Sequence, residues 1–203
     1  MKRVIIFIGL LITSVIATAH ANQAAKLDLQ TRLAKLDGFY GQFTQVVKTP
    51  DDQLVQEGKG KLWFHQPNYF NWSMSEPDEL SIISDGKTVW IYTPMVEQVS
   101  AMWLKNIPDN RLLLLLTDNH SEMWDTYQVT NTNNTFHLKP TTHAGQQFDI
   151  TVKPNGIITN FKIVEEDGQY SIYTFSQQRI GPVDKNKFIF HLPKGVTLDD
   201  QRQ

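Results

Sequence analysis

Residues 69–92 read YFNWSMSEPDELSIISDGKTVWIY and contain the strongest structural pattern in the chain. Apolar and polar side chains alternate through the first part, in the order Phe70, Asn71, Trp72, Ser73 and Met74. A period of two is typical of a strand with one apolar face. Asp85-Gly86 then supplies the positive-φ residues that a tight hairpin needs. The stretch therefore predicts consecutive antiparallel strands.

The same alternation recurs on both sides of this stretch. It predicts strands at residues 39–47, 56–64, 69–75, 80–84, 87–92, 97–104, 126–130, 135–139, 148–153, 157–165 and 169–178. Asn155-Gly156 and Asp167-Gly168 mark two further hairpin turns. A sheet of about eleven strands curls strongly, and one of its faces must be covered. We therefore expect a barrel or half-barrel.

Two segments have helical patterns. Leu29, Leu33 and Leu36 recur at i, i+4 and i+7 before Asp37-Gly38, which predicts an amphipathic helix over residues 24–36. The second segment, residues 107–116, ends in five successive leucines. A helix that is apolar on every side cannot lie on an ordinary surface. We expect the leucine run to be covered, as a lid over the sheet, which makes the fold α+β.

The first residues of the chain have the composition of a secretory leader. Met1-Lys2-Arg3 precedes an apolar run that is followed by Ala19-His20-Ala21, an A-x-A cleavage site. The alternative is a membrane anchor, but the run is shorter than the about 20 residues that a spanning helix needs. We expect a signal peptide over residues 1–21, cleaved before Asn22, and a single domain over residues 22–203.

The composition narrows the classes of partner. The chain has 19 Lys and Arg against 21 Asp and Glu, so nothing attracts a phosphate backbone and nucleic acid is a poor partner. It has no cysteine, and therefore no disulfide. Bacterial lipoproteins are acylated on a cysteine after the signal peptide, so this chain cannot carry that anchor.

The sequence has no motif of an enzyme or a metal site. The histidines beyond the leader have no metal-ligand spacing; they are His65, His120, His137, His143 and His191. No thiol, G-x-S-x-G elbow or S-x-x-K pair is present to form a nucleophile. A carboxylate pair assembled from distant residues stays open. We expect no enzymatic activity, no metal and no cofactor.

The strands contain more large apolar residues than the core of a small barrel requires. Phe70, Trp72 and Met74 share one face of a strand, and Leu80 and Ile82 continue that face on the next. A packed core is one interpretation. The other is a ligand cavity, which wide aromatic walls and a leucine lid favour.

Several stretches together resemble the LolA family of periplasmic lipoprotein carriers of Gram-negative bacteria. They are FTQ at 43–45, GKLW at 60–63, PNYFNW at 67–72, SDGKTVW at 84–90, VEQ at 96–98 and GVTLDDQR at 195–202. No single stretch is diagnostic, but their order and spacing are specific. The resemblance implies an open, antiparallel half-barrel of about eleven strands, with a lid of short α-helices over an apolar cavity.

The resemblance also implies a function. The chain is expected to be a soluble, monomeric periplasmic chaperone that binds the acyl chains of lipoproteins released from the inner membrane. The implied donor is the inner-membrane ABC export complex LolCDE, and the implied acceptor is the outer-membrane lipoprotein LolB. The alternative is a lipid-sensing periplasmic binding module of a stress-signalling system, although such sensors have a second domain.

The resemblance assigns roles to particular residues. The family's cavity and lid positions correspond here to Leu33, Phe70, Trp72, Ile82, Leu112, Leu113 and Leu116. The phenylalanine that matches Phe70 lies at the family's cavity mouth and accepts cargo. One position departs, because Gln66 stands where the family has an arginine that latches the lid. A glutamine amide donates only neutral hydrogen bonds, so we expect the lid to be less tightly latched, or to be latched elsewhere.

Overall fold

The computed structural model describes residues 13–107, 111–142 and 144–202 of the chain. The described residues form one sheet and two α-helices, α1 (Thr13–Leu33) and α2 (Arg111–Thr117). The strands are β1 (Gly38–Lys48), β2 (Leu54–His65), β3 (Tyr69–Glu76), β4 (Leu80–Asp85), β5 (Thr88–Thr93), β6 (Gln98–Trp103), β7 (Tyr127–Thr132), β8 (Thr135–Pro140), β9 (Gln147–Val152), β10 (Ile158–Val164), β11 (Tyr170–Ile180) and β12 (Thr197–Asp200). The α+β fold class is confirmed.

The sheet is an open meander in which two pairs of neighbouring strands are far apart in the chain, β1 with β11 at the centre and β6 with β12 at one edge. Its strand order is β12-β6-β5-β4-β3-β2-β1-β11-β10-β9-β8-β7. Sequential hairpins build β1 to β6 on one side and β7 to β11 on the other. β1 and β11 are the strands that join the two halves, and they pair antiparallel. All eleven predicted strands are present, and Gly86, Gly156 and Gly168 adopt the positive φ angles expected of the three predicted hairpins.

A twelfth strand corrects the expectation of about eleven antiparallel strands. β12 pairs parallel with β6, from Thr197 opposite Gln98 to Asp200 opposite Ala101. Four residues are too few to show a reliable alternation of apolar and polar side chains. Only its position beside β6 makes this segment a strand, so the local sequence did not reveal it.

α1 differs in its bounds from the predicted helix. It begins at Thr13 and ends at Leu33, whereas residues 34–36 form a tighter turn in which the amide of Leu36 donates to the carbonyl of Leu33 at 2.9 Å. Leu36 nevertheless stays fully buried. Residues 1–12 of the expected leader lie outside the described residues. No helix among the described residues is long and apolar enough to cross a membrane.

The core lies between the concave face of the sheet and the two helices. Phe39, Phe64 and Phe70 are directly opposite one another on β1, β2 and β3, and all three are fully buried. The rings of Phe39 and Phe64 are stacked with centroids 4.9 Å apart. Leu29 and Leu33 of α1 belong to the same apolar cluster. Burying each such side chain contributes about 1.5–3 kcal/mol, so this layer anchors α1 to the sheet.

The convex face of the sheet is partly covered by the segment before β12. Phe188, in a 3-10 helix over Lys185–Phe188, is buried against β3. The side-chain amide of Asn71 donates a 2.7 Å hydrogen bond to the carbonyl of Lys187. Asn71 therefore points away from Phe70 and Trp72, as the alternation in the sequence predicted.

Candidate functional site

A cavity of about 780 Å³ lies between the concave face of the sheet and α2. This volume is in the range of small-molecule binding sites. One wall consists of Trp72 and Met74 on β3 with Leu80 and Ile82 on β4. Trp72 lies directly opposite Ile82, and Met74 opposite Leu80, so the two strands present one continuous apolar surface.

The facing wall comes from the other half of the sheet. It consists of Phe161 and Ile163 on β10 and Tyr173 on β11. The ring centroids of Phe161 and Tyr173 are 4.8 Å apart, and that of Trp72 lies 5.0 Å from Tyr173. These three residues did not stand out in the sequence. Their alternation within each strand was visible, but it does not reveal that β11 pairs with β1.

Two glycines on β2 lie so close to atoms of the neighbouring strands that neither position has room for a side chain. A Cβ atom at Gly60 would lie 2.6 Å from Cζ of Phe43 and 2.3 Å from the carbonyl oxygen of Ser73. A Cβ atom at Gly58 would lie 2.7 Å from the carbonyl oxygen of Glu76. Because Gly60 has no side chain, the ring of Phe43 reaches Trp72 at a centroid distance of 4.3 Å.

α2 covers one side of the cavity and contributes two of the predicted lid residues. Leu112 and Leu113 line the cavity, whereas Leu115 and Leu116 are fully buried in the core. The hydroxyl of Thr117 donates to the carbonyl of Leu113 at 2.7 Å. The main-chain N–H of Asn68 donates to the carbonyl of Thr117 at 3.1 Å and ties the end of α2 to the β2–β3 turn. α2 is therefore attached to the sheet at its carboxyl end.

Gln66 lies where the two helices approach the β2–β3 turn. Its Nε2 donates to the carbonyl oxygens of Leu33, at 3.1 Å, and Leu116, at 3.5 Å. Its Oε1 accepts from Nδ2 of Asn119 at 3.3 Å. The last carbonyls of a helix have no partner within the helix, so a side-chain donor is well placed there. This geometry is compatible with the predicted latch.

The structure separates the predicted site residues into two groups. Trp72, Ile82, Leu112 and Leu113 line the cavity. Leu33, Phe70 and Leu116 are fully buried in the adjoining core, where none is exposed to solvent. The second group therefore belongs to the core beside the cavity.

The lining also includes polar side chains. Gln45, Gln56, Gln146 and the hydroxyl of Tyr173 lie among the apolar residues, together with the carboxylates of Asp78, Glu79 and Glu165. Nε2 of Gln146 donates to both carboxylate oxygens of Glu165 at 3.0 Å. Burial raises the pKa of Tyr173 to about 12, so its hydroxyl keeps its proton at neutral pH.

Groups with metal-binding geometry are absent from the part of the chain that the structure describes. Its one close contact between a histidine and a carboxylate within 3 Å joins His137 to Asp149 across β8 and β9. Neither residue lines the cavity. The apolar side chains of its lining suit the cavity to an apolar ligand.

Comparison with known proteins agrees with this geometry. The family model for the outer membrane lipoprotein carrier protein LolA matches residues 34–191. Outer-membrane lipoprotein carrier proteins of Yersinia enterocolitica and Yersinia pestis are 47% and 46% identical, over 100% of both chains in each case. A solved structure of an uncharacterized conserved protein from Thermus thermophilus shares the fold at 12% identity, with a TM-score of 0.56 over 88% of this chain and 100% of that one. The chain belongs to the LolA family of outer-membrane lipoprotein carrier proteins, and it is a carrier rather than an enzyme.

Proposed function

We propose that this carrier holds the acyl chains of its lipoprotein cargo in the cavity between the sheet and α2. The observation that carries the proposal is the paired apolar walls, with Trp72 and Ile82 on one side and Phe161 and Ile163 on the other. The two walls meet where the ring centroids of Trp72 and Phe161 lie 6.1 Å apart, and the cavity extends beside this contact. An acyl chain is the part of a lipoprotein that most needs to be removed from water.

The energetics require a lid that opposes binding. One acyl chain of about fifteen methylenes gains about 12 kcal/mol on burial, and lipoproteins carry more than one chain. A carrier with that affinity would not release its cargo. Opening of α2 would expose Leu112 and Leu113 and break the hydrogen bonds of Gln66, and this cost offsets part of the gain. This cost sets the carrier's affinity for lipoprotein between the affinity of the donor and that of the acceptor.

The route of the cargo completes the proposal. The chain acts as a monomer in the periplasm after removal of residues 1–21, receives lipoproteins from the inner-membrane complex LolCDE and delivers them to the outer-membrane lipoprotein LolB. Membership of the carrier family and the leader-like composition of the first residues support this route. Mass spectrometry of the periplasmic protein tests the processing, since the mature chain should begin at Asn22.

The experiment that tests the function is release of lipoprotein from spheroplasts. Spheroplasts that synthesise a labelled outer-membrane lipoprotein are incubated with the purified mature protein. We expect a water-soluble complex of one carrier and one lipoprotein. A folded carrier that leaves all label on the membrane would refute the proposal.

A further inference from the structure

A polar residue interrupts the apolar side chains that β1 presents to the concave face of the sheet. Phe39, Phe43, Gln45 and Val47 lie on the same face of this strand, and Val47 is buried. Phe43 lies opposite Phe175 on β11, and Gln45 lies opposite Tyr173. Next to the aromatic pair of Phe43 and Phe175, the two strands therefore present an amide, from Gln45, and a hydroxyl, from Tyr173. We call Gln45, Gln56, Gln146 and Tyr173 the polar band; all four line the cavity.

Tyr173 has a hydroxyl whose direction is set by the packing of its ring. The ring contacts Phe43, Trp72 and Phe161 at centroid distances of 5.7, 5.0 and 4.8 Å. The residue is 8% exposed. Contacts on several sides hold the ring in place, so the hydroxyl occupies a fixed position on the cavity wall.

The hydrogen-bonding capacity of this hydroxyl is only partly used. It accepts a 2.8 Å hydrogen bond from Nε2 of Gln45. The Ser171 hydroxyl lies nearby and lowers the pKa of Tyr173, which is the effect of a donor to the tyrosine oxygen, and among the residues that the structure describes no hydrogen bond has the Tyr173 hydroxyl as its donor. A hydroxyl has one proton to donate, and polar groups in buried positions normally find partners. Because burial raises the pKa of Tyr173 to about 12, that proton is present throughout the physiological range.

The charges around the cavity restrict what this proton can bind. Asp78, Glu79 and Glu165 line the cavity, and its described lining includes no lysine, arginine or histidine. Carboxylates without a facing cation repel a fatty-acid carboxylate or a phosphate. A neutral carbonyl oxygen accepts a hydrogen bond and is not repelled. The site therefore favours esters and amides over anionic headgroups.

We propose that the polar band is a subsite for the carbonyl groups at the base of the cargo's acyl chains, with Tyr173 as the hydrogen-bond donor. This inference rests on the proposed acyl-binding function and adds the part of the cargo that is recognised. The acyl tails contact the aromatic walls, the ester or amide carbonyls meet the polar band, and the peptide lies outside.

The test compares two probes in the purified mature carrier. One is a synthetic diacyl lipopeptide with two palmitoyl esters, and the other is its ether analogue with the same chain lengths and no carbonyl groups. Affinities are measured by displacement of a fluorescent dye from the cavity. We expect the wild type to bind the ester about fivefold more tightly, the effect of one net hydrogen bond. Tyr173→Phe should bind both probes equally, since it keeps the ring contacts and lacks the donor.

A control variant separates the donor from the apolar wall. Ile82→Ala reduces the apolar wall on β4 and leaves the aromatic contacts of the Tyr173 ring in place, so it should weaken both probes by the same factor. Near-ultraviolet circular dichroism verifies that Tyr173→Phe is folded. An unchanged ester-to-ether ratio in Tyr173→Phe would overturn the subsite and leave acyl binding standing. If the wild type binds neither probe, both the subsite and the proposed function are refuted.

Discussion

Nε2 of Gln66 lies 3.1 Å from the carbonyl oxygen of Leu33, which joins the β2–β3 turn to the last residue of α1. The same nitrogen lies 3.5 Å from the carbonyl oxygen of Leu116 in α2. A single neutral amide thus connects both helices to the sheet. Neutral hydrogen bonds contribute about half as much as charged ones, so this link is weaker than the bond that the charged guanidinium of Arg32 on α1 donates to the carbonyl of Val152 at 2.6 Å.

Gln66→Arg should close the lid more firmly. A guanidinium replaces neutral donors with charged ones, which adds about 1 kcal/mol to the closed state. We expect about fivefold weaker binding of a cavity dye, measured by fluorescence titration. Gln66→Leu is the control, because it removes the donors and should strengthen binding. Equal dye fluorescence in wild type and Gln66→Arg would show that Gln66 does not latch the lid.

A charge on the cavity wall should abolish loading without unfolding the protein. Ile82 is half-buried and lines the cavity, whereas its neighbour Ser81 lies on the other face of β4. Ile82→Glu should reduce dye affinity and lipoprotein release more than tenfold, because a carboxylate in an apolar wall must be desolvated when a ligand binds. Ser81→Glu introduces the same charge on the opposite face and should load normally. Comparable defects in the two variants would place the binding site elsewhere.

Phe70 should contribute mainly to stability. It is fully buried, opposite Phe64 on β2. Truncation of such a phenylalanine costs about 3–5 kcal/mol, so Phe70→Ala should unfold at a much lower urea concentration than the wild type. Met95→Ala, at a position 71% exposed, should change stability by less than about 0.5 kcal/mol.

Further variants of Phe70 test the role that the family resemblance assigns to this residue. Phe70→Leu keeps most of the buried volume and is suited to a release assay. Phe70→Glu is less suited, because it would place an unpaired carboxylate in the core. A loading defect in a Phe70 variant that unfolds at the wild-type urea concentration would show that this side chain contacts cargo directly.

Tyr173 should make the protein less stable in alkali. Its pKa is 10.0 in the unfolded chain and about 12 in the folded one. Between these values the unfolded chain loses the proton while the folded protein keeps it, so the stabilisation is complete below pH 10 and is lost as pH rises through 12. The difference corresponds to about 3 kcal/mol.

Denaturation by urea at a series of alkaline pH values measures this effect. Tyr173→Phe lacks the titrating hydroxyl and should lose less stability than the wild type over the same range. Parallel stability curves for the two proteins would mean that Tyr173 titrates normally in the folded state.

Much of the sheet could be read from local patterns. A strand with one buried face needs an apolar residue at every second position, and all eleven such runs became strands. Asp85-Gly86 marked its hairpin because few residues adopt positive φ without strain. β12 lacked any such pattern and became a strand only by pairing with β6.

The candidate site was only partly visible in the sequence. Trp72 and Ile82 belong to neighbouring strands joined by a short loop, so their shared face followed from period two. Phe161 and Tyr173 could not be assigned to the same cavity, because they lie some ninety to one hundred residues further along the chain. The position of Phe70 in the core, beside the cavity, also emerged only from the packed structure.

The sequence by itself determined which face of each strand is apolar, where the hairpins turn and that the leucines after residue 111 must be covered. These features depend on residues close together in the chain, and local backbone geometry and the hydrophobic effect suffice to encode them. The tertiary structure alone decided that β1 pairs with β11, which brings Gln45 to Tyr173 across 128 residues, and that Gln66 reaches the carbonyls of both helices. Alternation specifies a face but not a distant partner, and that choice follows from burying the whole concave surface at once.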